Sequence, residues 1–107
     1  MSKRTEQVAE LLRQEINNII LKDFEAPLGT LVSVSDITVS PDLKNATAYL
    51  SVIPSGKLGS TLELIKKFSP HLQRELNKKI VLRAIPKIHW EIDERDIKYS
   101  AIEEALK

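Results

Sequence analysis

The chain has 107 residues, 42% of them hydrophobic and 29% charged, with 16 Lys and Arg against 15 Asp and Glu. That is one domain of ordinary globular composition, since two halves of about 50 residues could each barely bury a core. No apolar run reaches the roughly 18–20 residues of a membrane-spanning helix. The absence of cysteine excludes disulfide scaffolds, thiolate metal sites and cysteine nucleophiles. Met1 to Glu6 runs straight into a charged amphipathic segment. It has no apolar signal core and is too acidic for a transit peptide, so a cytoplasmic protein is expected.

The first segment places Val8, Leu11, Leu12, Ile16, Ile19 and Ile20 at i, i+3, i+4 spacing. This is one buried helical stripe, and it predicts a helix over about 3–22, capped by Ser2 or Thr5. Asp23 to Gly29, with Ala26-Pro27-Leu28-Gly29, reads as a loop.

Leu31 to Val39 alternates apolar with polar residues and is rich in β-branched side chains, the pattern of a half-buried strand. The parity of its apolar positions changes from 32 and 34 to 37 and 39. One extra residue near Ser35-Asp36, a β-bulge, accounts for that change. The turn Ser40 to Asn45 leads into Ala46 to Ile53, which alternates again, so an antiparallel hairpin is predicted.

A second helical pattern follows in Leu58, Leu62, Ile65, Leu72 and Leu76, with Phe68 beside it. Ser69-Pro70 interrupts it, and a proline inside a helix costs about 3 kcal/mol. The expectation is two helices meeting at an angle, the second capped by Ser69 with Pro70 at its first position. Beyond Asn77-Lys78-Lys79 a last strand is expected, with Ile88, Trp90 and Ile92 on one face. The ordered core should span about 3–93. Residues 94–107 form an acidic tail, with a short helix around Ile102 to Leu106 as one option.

No catalytic constellation emerges. His71 and His89 lack ligand spacing, and a lone histidine of this kind is usually structural or at the surface. No serine sits in a nucleophile-elbow pattern. Asp93, Glu94 and Asp96 could gather around magnesium, but a solvated loop is the commoner meaning of such a cluster. Neither a metal nor a cofactor is expected.

Charge is distributed unevenly. Residues 1–65 carry 6 basic and 8 acidic side chains, residues 66–89 carry 7 basic and one acidic, and residues 90–107 carry 3 basic and 6 acidic. A local excess of this size suits phosphate, although charge alone fits a solvated helix face equally well. Gly56-Lys57-Leu58-Gly59 has the form of the GxxG clamp of KH domains. That clamp lies between consecutive helices, whereas this one follows the hairpin, so it reads as an entry loop. Phe68-Ser69-Pro70-His71, where a clamp belongs, has no glycine.

The element order resembles the KH-like type II arrangement. It implies a single α+β domain, α-β-β-α-kink-α-β, with helices covering one face of a three-stranded sheet. Two motifs carry a closer resemblance. Val39-Ser40-Pro41-Asp42-Leu43-Lys44-Asn45-Ala46 is similar to a V-S-x-D-L-x-x-A signature. Leu72-Gln73-Arg74-Glu75-Leu76 followed by Leu82 to Asp93 is similar to L-x-R-x-L and then L-R-x-x-P-x-L-x-F-x-x-D. From about residue 3 to 106 the chain resembles the ribosome-binding factor A family of bacterial small-subunit assembly factors. It departs from that family's alanine-centred kink, its Asp-Pro after the first helix and its glycine after the last strand.

The resemblance implies a non-enzymatic factor, monomeric when free, that binds the immature 30S subunit through 16S rRNA. It further implies promotion of late maturation, including processing near the 5′ end, and leaves contacts with other assembly factors open. The expected RNA-binding residues are Lys66, Lys67, Ser69, His71, Arg74, Lys78, Lys79, Arg83 and Lys87. They would lie on the outer faces of the helices and the adjoining connection and strand, gripping phosphate by shape and charge, with helix amides behind Ser69 contributing. Few aromatics are free for base stacking. A protein-interaction domain using the hairpin edge, with the basic surface incidental, is the alternative.

Overall fold

The computed structural model describes residues 3–81 and 84–93. Helix α1 spans Lys3–Asp23, strands β1 and β2 span Leu31–Val39 and Asn45–Ile53, helix α2 spans Leu58–Lys79, and β3 spans Lys87–Ile92. The sheet order is β1-β2-β3, with β1 antiparallel and β3 parallel to β2. A parallel neighbour needs a crossover of a dozen or more residues, and α2 supplies it.

Both helices pack on one sheet face. The core unites Leu12, Ile16 and Ile19 of α1, Val34 and Ile37 of β1, and Ala48, Leu50 and Val52 of β2 with Ile65, Leu72 and Leu76 of α2 and Ile88 of β3. The other face carries Ser33, Tyr49, Thr47, His89 and Glu91 at the alternate positions, none of them buried.

The bulge falls where the parity change puts it. Val34 pairs with Leu50 and Asp36 with Tyr49, leaving Ser35 over. The Ser35 hydroxyl lies 2.6 Å from Asp93 Oδ2 and 3.2 Å from Tyr49 O, donating to one of these acceptors. Asp93 is therefore a buried residue tied to the bulge rather than part of a solvated loop, and its own N–H donates to Leu50 O at 3.1 Å. Among the described residues no cluster of His, Cys, Asp and Glu could hold a metal ion.

The hairpin turn explains its own sequence. Asp42 Oδ1 accepts from the Ser40 hydroxyl and from the Lys44 N–H, an Asx-type closure. These two bonds hold the Asp42 carboxyl below the ordinary carboxylate range. Leu43 takes a left-handed φ of 61° and packs against the core.

Three expectations need correction. Thr5 is a buried residue inside α1, not its cap. The segment Ser55–Lys57 is a 3-10 turn running directly into α2 at Leu58, so the GxxG look-alike belongs to a helix entrance rather than a free loop. Most consequentially, α2 is one helix with Pro70 inside it, not two. The physical reason is tertiary: Leu72 and Leu76, both fully buried beyond the proline, recover about 1.5–3 kcal/mol each. That outweighs the local cost of about 3 kcal/mol. Ser2, Leu82, Arg83 and the 94–107 tail lie outside the described residues.

Candidate nucleic-acid interface

The continuous helix distributes its cations by the 3.6-residue turn. Taking Ile65 as the buried direction and about 100° per residue, Lys67, Arg74 and Lys78 fall on the opposite, outward side and Lys66 about a quarter turn away. All four are exposed. Lys78 makes a loose contact with Glu75, Nζ to Oε1 3.6 Å, with 72% of its own side chain exposed, so its charge remains available.

Lys66 stands at a groove between α2 and β3. Its walls are Lys66, Ser69, Pro70, Gln73 and Asn77 from the helix, with Ile85, Lys87 and Ile88 from the opposite side, around a space of about 550 Å³. Pro70, Ile85 and Ile88 supply its apolar lining, and each wall includes one basic residue, Lys66 from the helix and Lys87 from the first position of β3. Two side-chain contacts hold the walls together. The Gln73 carboxamide donates to Pro86 O at 3.2 Å and accepts from Ile88 N–H at 3.3 Å. Trp90 Nε1 donates to Ser69 Oγ at 3.2 Å. Pro86, buried just before β3, sits where a strand tolerates proline.

His71 and Lys79 are on the α1 side of the helix. His71 Nε2 donates to Asp23 Oδ2 at 2.9 Å, its ring stacks obliquely on Phe68 at 5.2 Å, and Phe68 meets Phe24 edge-on at 5.2 Å. The Asp23 carboxyl is held below its ordinary range, chiefly by the His71 hydrogen bond and more weakly by the charges of His71, Lys22 and Lys79. His89 lies on the open sheet face, Nε2 2.9 Å from Asn45 Oδ1.

The structure thus gathers Lys66, Ser69 and Lys87 at one groove, with Lys67, Arg74 and Lys78 on the adjoining helix face. It turns His71 and Lys79 toward the end of α1. The expected cluster of free helix amides behind Ser69 is absent, because residues 71–73 are interior to α2 and their N–H groups face carbonyls of the preceding turn. Gln73 and Asn77 line the groove without having been singled out from the sequence. The signal was present: 66, 69 or 70, 73 and 77 follow the helical i, i+3, i+4, i+7 rule.

Residues 4–106 match the family model described as ribosome-binding factor A. A ribosome-binding factor A from Akkermansia muciniphila is 38% identical over 96 residues, covering 88% of this chain and 74% of that one. One from Caldanaerobacter subterraneus is 34% identical over 110 residues, covering 100% of this chain and 89% of the other. Among solved structures, ribosome-binding factor A from Thermus thermophilus superposes with a TM-score of 0.71 at 15% identity, over 82% of this chain and 94% of that one. A homology model of the Thermus thermophilus protein, fitted into the cryo-EM map of its 30S complex, superposes with a TM-score of 0.61 at 16% identity, over 89% and 97%. At such identities the structural likeness speaks for the fold.

Proposed function

This chain belongs to the ribosome-binding factor A family, and we propose that it binds the immature 30S ribosomal subunit through 16S rRNA as a non-enzymatic assembly factor of the cytoplasm, monomeric when free. In this reading it promotes late maturation of the subunit, including processing near the 5′ end of 16S rRNA. The observation that carries the RNA contact is the placement of Lys66 and Lys87 on the two sides of the α2–β3 groove. A single strand of RNA lying there meets Lys66 and Lys87 with its phosphates and the half-buried Ile85 with its bases. Lys67, Arg74 and Lys78 extend the positive surface along α2, toward phosphates of a neighbouring segment. His71 and Lys79 serve as peripheral contacts, and Arg83 is included on sequence alone. Support for the 30S subunit as partner comes from family membership and from the Thermus thermophilus relative fitted into a 30S complex.

Binding of this type is governed by charge and shape, so it weakens linearly in log K against log salt, by about 0.7–0.9 per phosphate neutralised. The test is co-sedimentation of the wild type and of Lys66→Glu/Lys87→Glu with immature and mature 30S particles. The wild type should pellet with immature particles, and the double variant should lose most of that binding with its melting temperature unchanged. Equal pelleting of the two proteins would remove the groove from the reading. A protein-only interaction would instead survive nuclease treatment of the particles.

A further inference from the structure

Pro70 lies inside α2 and has no N–H, so the carbonyl of Lys66, four residues earlier, has no helical donor. Lys66 and Pro70 both line the α2–β3 groove, so the residue whose carbonyl lacks its helical donor stands in the groove wall. A main-chain carbonyl is an obligatory acceptor, satisfied either by water or by whatever displaces the water. We propose that Lys66 O accepts a hydrogen bond from a ribose 2′-hydroxyl, making Pro70 the residue by which this groove distinguishes ribose from sugars that cannot donate. The inference rests on the reading of the groove as an RNA site and deepens it.

Three features of the site agree. The Lys66 side chain begins at the same residue as the free carbonyl, so a phosphate held by its ammonium group stands close to the adjoining sugar. Two polar side chains flanking Pro70 in the groove are already engaged: the Gln73 carboxamide is held by Pro86 and Ile88, and the Ser69 oxygen receives the Trp90 N–H. The 2′-hydroxyl is also the one sugar group that donates in RNA and is missing from DNA. An ordinary residue at position 70 would close the i to i−4 bond and withdraw the acceptor. A proline in mid-helix, locally unfavourable, thereby gains a use in recognition.

The experiment measures binding of wild type, Pro70→Ala and Lys66→Glu/Lys87→Glu to one single-stranded oligonucleotide sequence made with ribose, 2′-deoxyribose or 2′-fluororibose. The 2′-fluoro sugar keeps the RNA-like pucker but has no proton to donate, so it separates hydrogen bonding from shape. The wild type should prefer ribose over both analogues by about three- to tenfold, the worth of one neutral hydrogen bond. Pro70→Ala restores the helical N–H and leaves the fold intact. It should bind all three sugars within about twofold of one another, at an affinity close to that of the wild type for the analogues. A ribose preference retained in Pro70→Ala, or absent from the wild type, overturns the inference while the RNA reading stands. Binding to all three sugars that Lys66→Glu/Lys87→Glu does not weaken overturns the RNA reading and the inference together.

Discussion

The carboxamide of Asn17 meets the backbone of Val34 as a neighbouring strand would: Nδ2 donates to Val34 O at 3.0 Å and Oδ1 accepts from Val34 N–H at 2.7 Å. On the far side of the sheet Gln73 does the same to Pro86 and Ile88. Each helix thus contributes one amide side chain to one open edge of a three-stranded sheet. Edge strands present unpaired N–H and C=O groups that invite another chain, and each amide satisfies one donor and one acceptor of such an edge. At β1 the contact sits beside the bulge, where the ladder is already disturbed. At β3 it fixes the start of the strand that carries Lys87, and with it the width of the groove.

Replacing Asn17 with Ala should therefore cost about 2 kcal/mol of unfolding free energy, since a part-buried donor and acceptor of Val34 lose their partners together. Asn17→Asp should cost a similar amount, because a carboxylate still accepts from Val34 N–H but cannot donate to Val34 O. Urea denaturation of both variants checks this. A loss below about 0.5 kcal/mol in each would show that water replaces the side chain without penalty.

Thr61 faces the core with no exposed surface, and among the described residues its hydroxyl has no hydrogen-bond partner. Thr61→Val keeps the shape and removes the unpaired polar atom. Stability should rise by about 1 kcal/mol, equivalent to a melting temperature about 4–8 °C higher. Differential scanning calorimetry reads the shift directly, and a lower melting temperature would mean that the hydroxyl is bonded after all.

The Asp23 carboxyl is held below its ordinary range, first by the hydrogen bond from His71. A folded-state value below the unfolded one means stability that is fully present above about pH 3.9 and is lost as the pH falls through the lower folded value. His71→Phe keeps a ring against Phe68 but removes the donor. The Asp23 titration, followed by carboxyl carbon chemical shift, should move up toward the unperturbed value, and acid unfolding of the variant should begin at higher pH. An unchanged Asp23 midpoint would assign the depression to the neighbouring lysines instead.

Lys67, Arg74 and Lys78 are exposed on the outward side of α2. Their joint replacement by alanine should leave thermal stability within about 0.5 kcal/mol, as is usual for surface positions. In contrast, the salt dependence of 30S binding should flatten by up to about 0.7–0.9 for each phosphate contact removed. Filter binding across a range of potassium chloride concentrations measures the slope. A slope equal to the wild type would confine RNA contact to the groove.

Residue patterning by itself determined the elements and their faces. The stripe of Val8, Leu12, Ile16 and Ile19 is α1, and the parity change around Ser35 is the bulge, because side chains repeat every 3.6 residues in a helix and every two in a strand. Tertiary structure alone decided three matters. It carried α2 through Pro70, since a local penalty is weighed against burial that only the assembled sheet supplies. It paired β3 parallel to β2, with partners 42 positions apart, and let Asn17 and Gln73 close the edges through contacts 13 to 17 positions apart. Lastly, it divided the basic residues between a groove, an outer face and the Asp23 side. Charge is counted along a chain, but a phosphate is met in space.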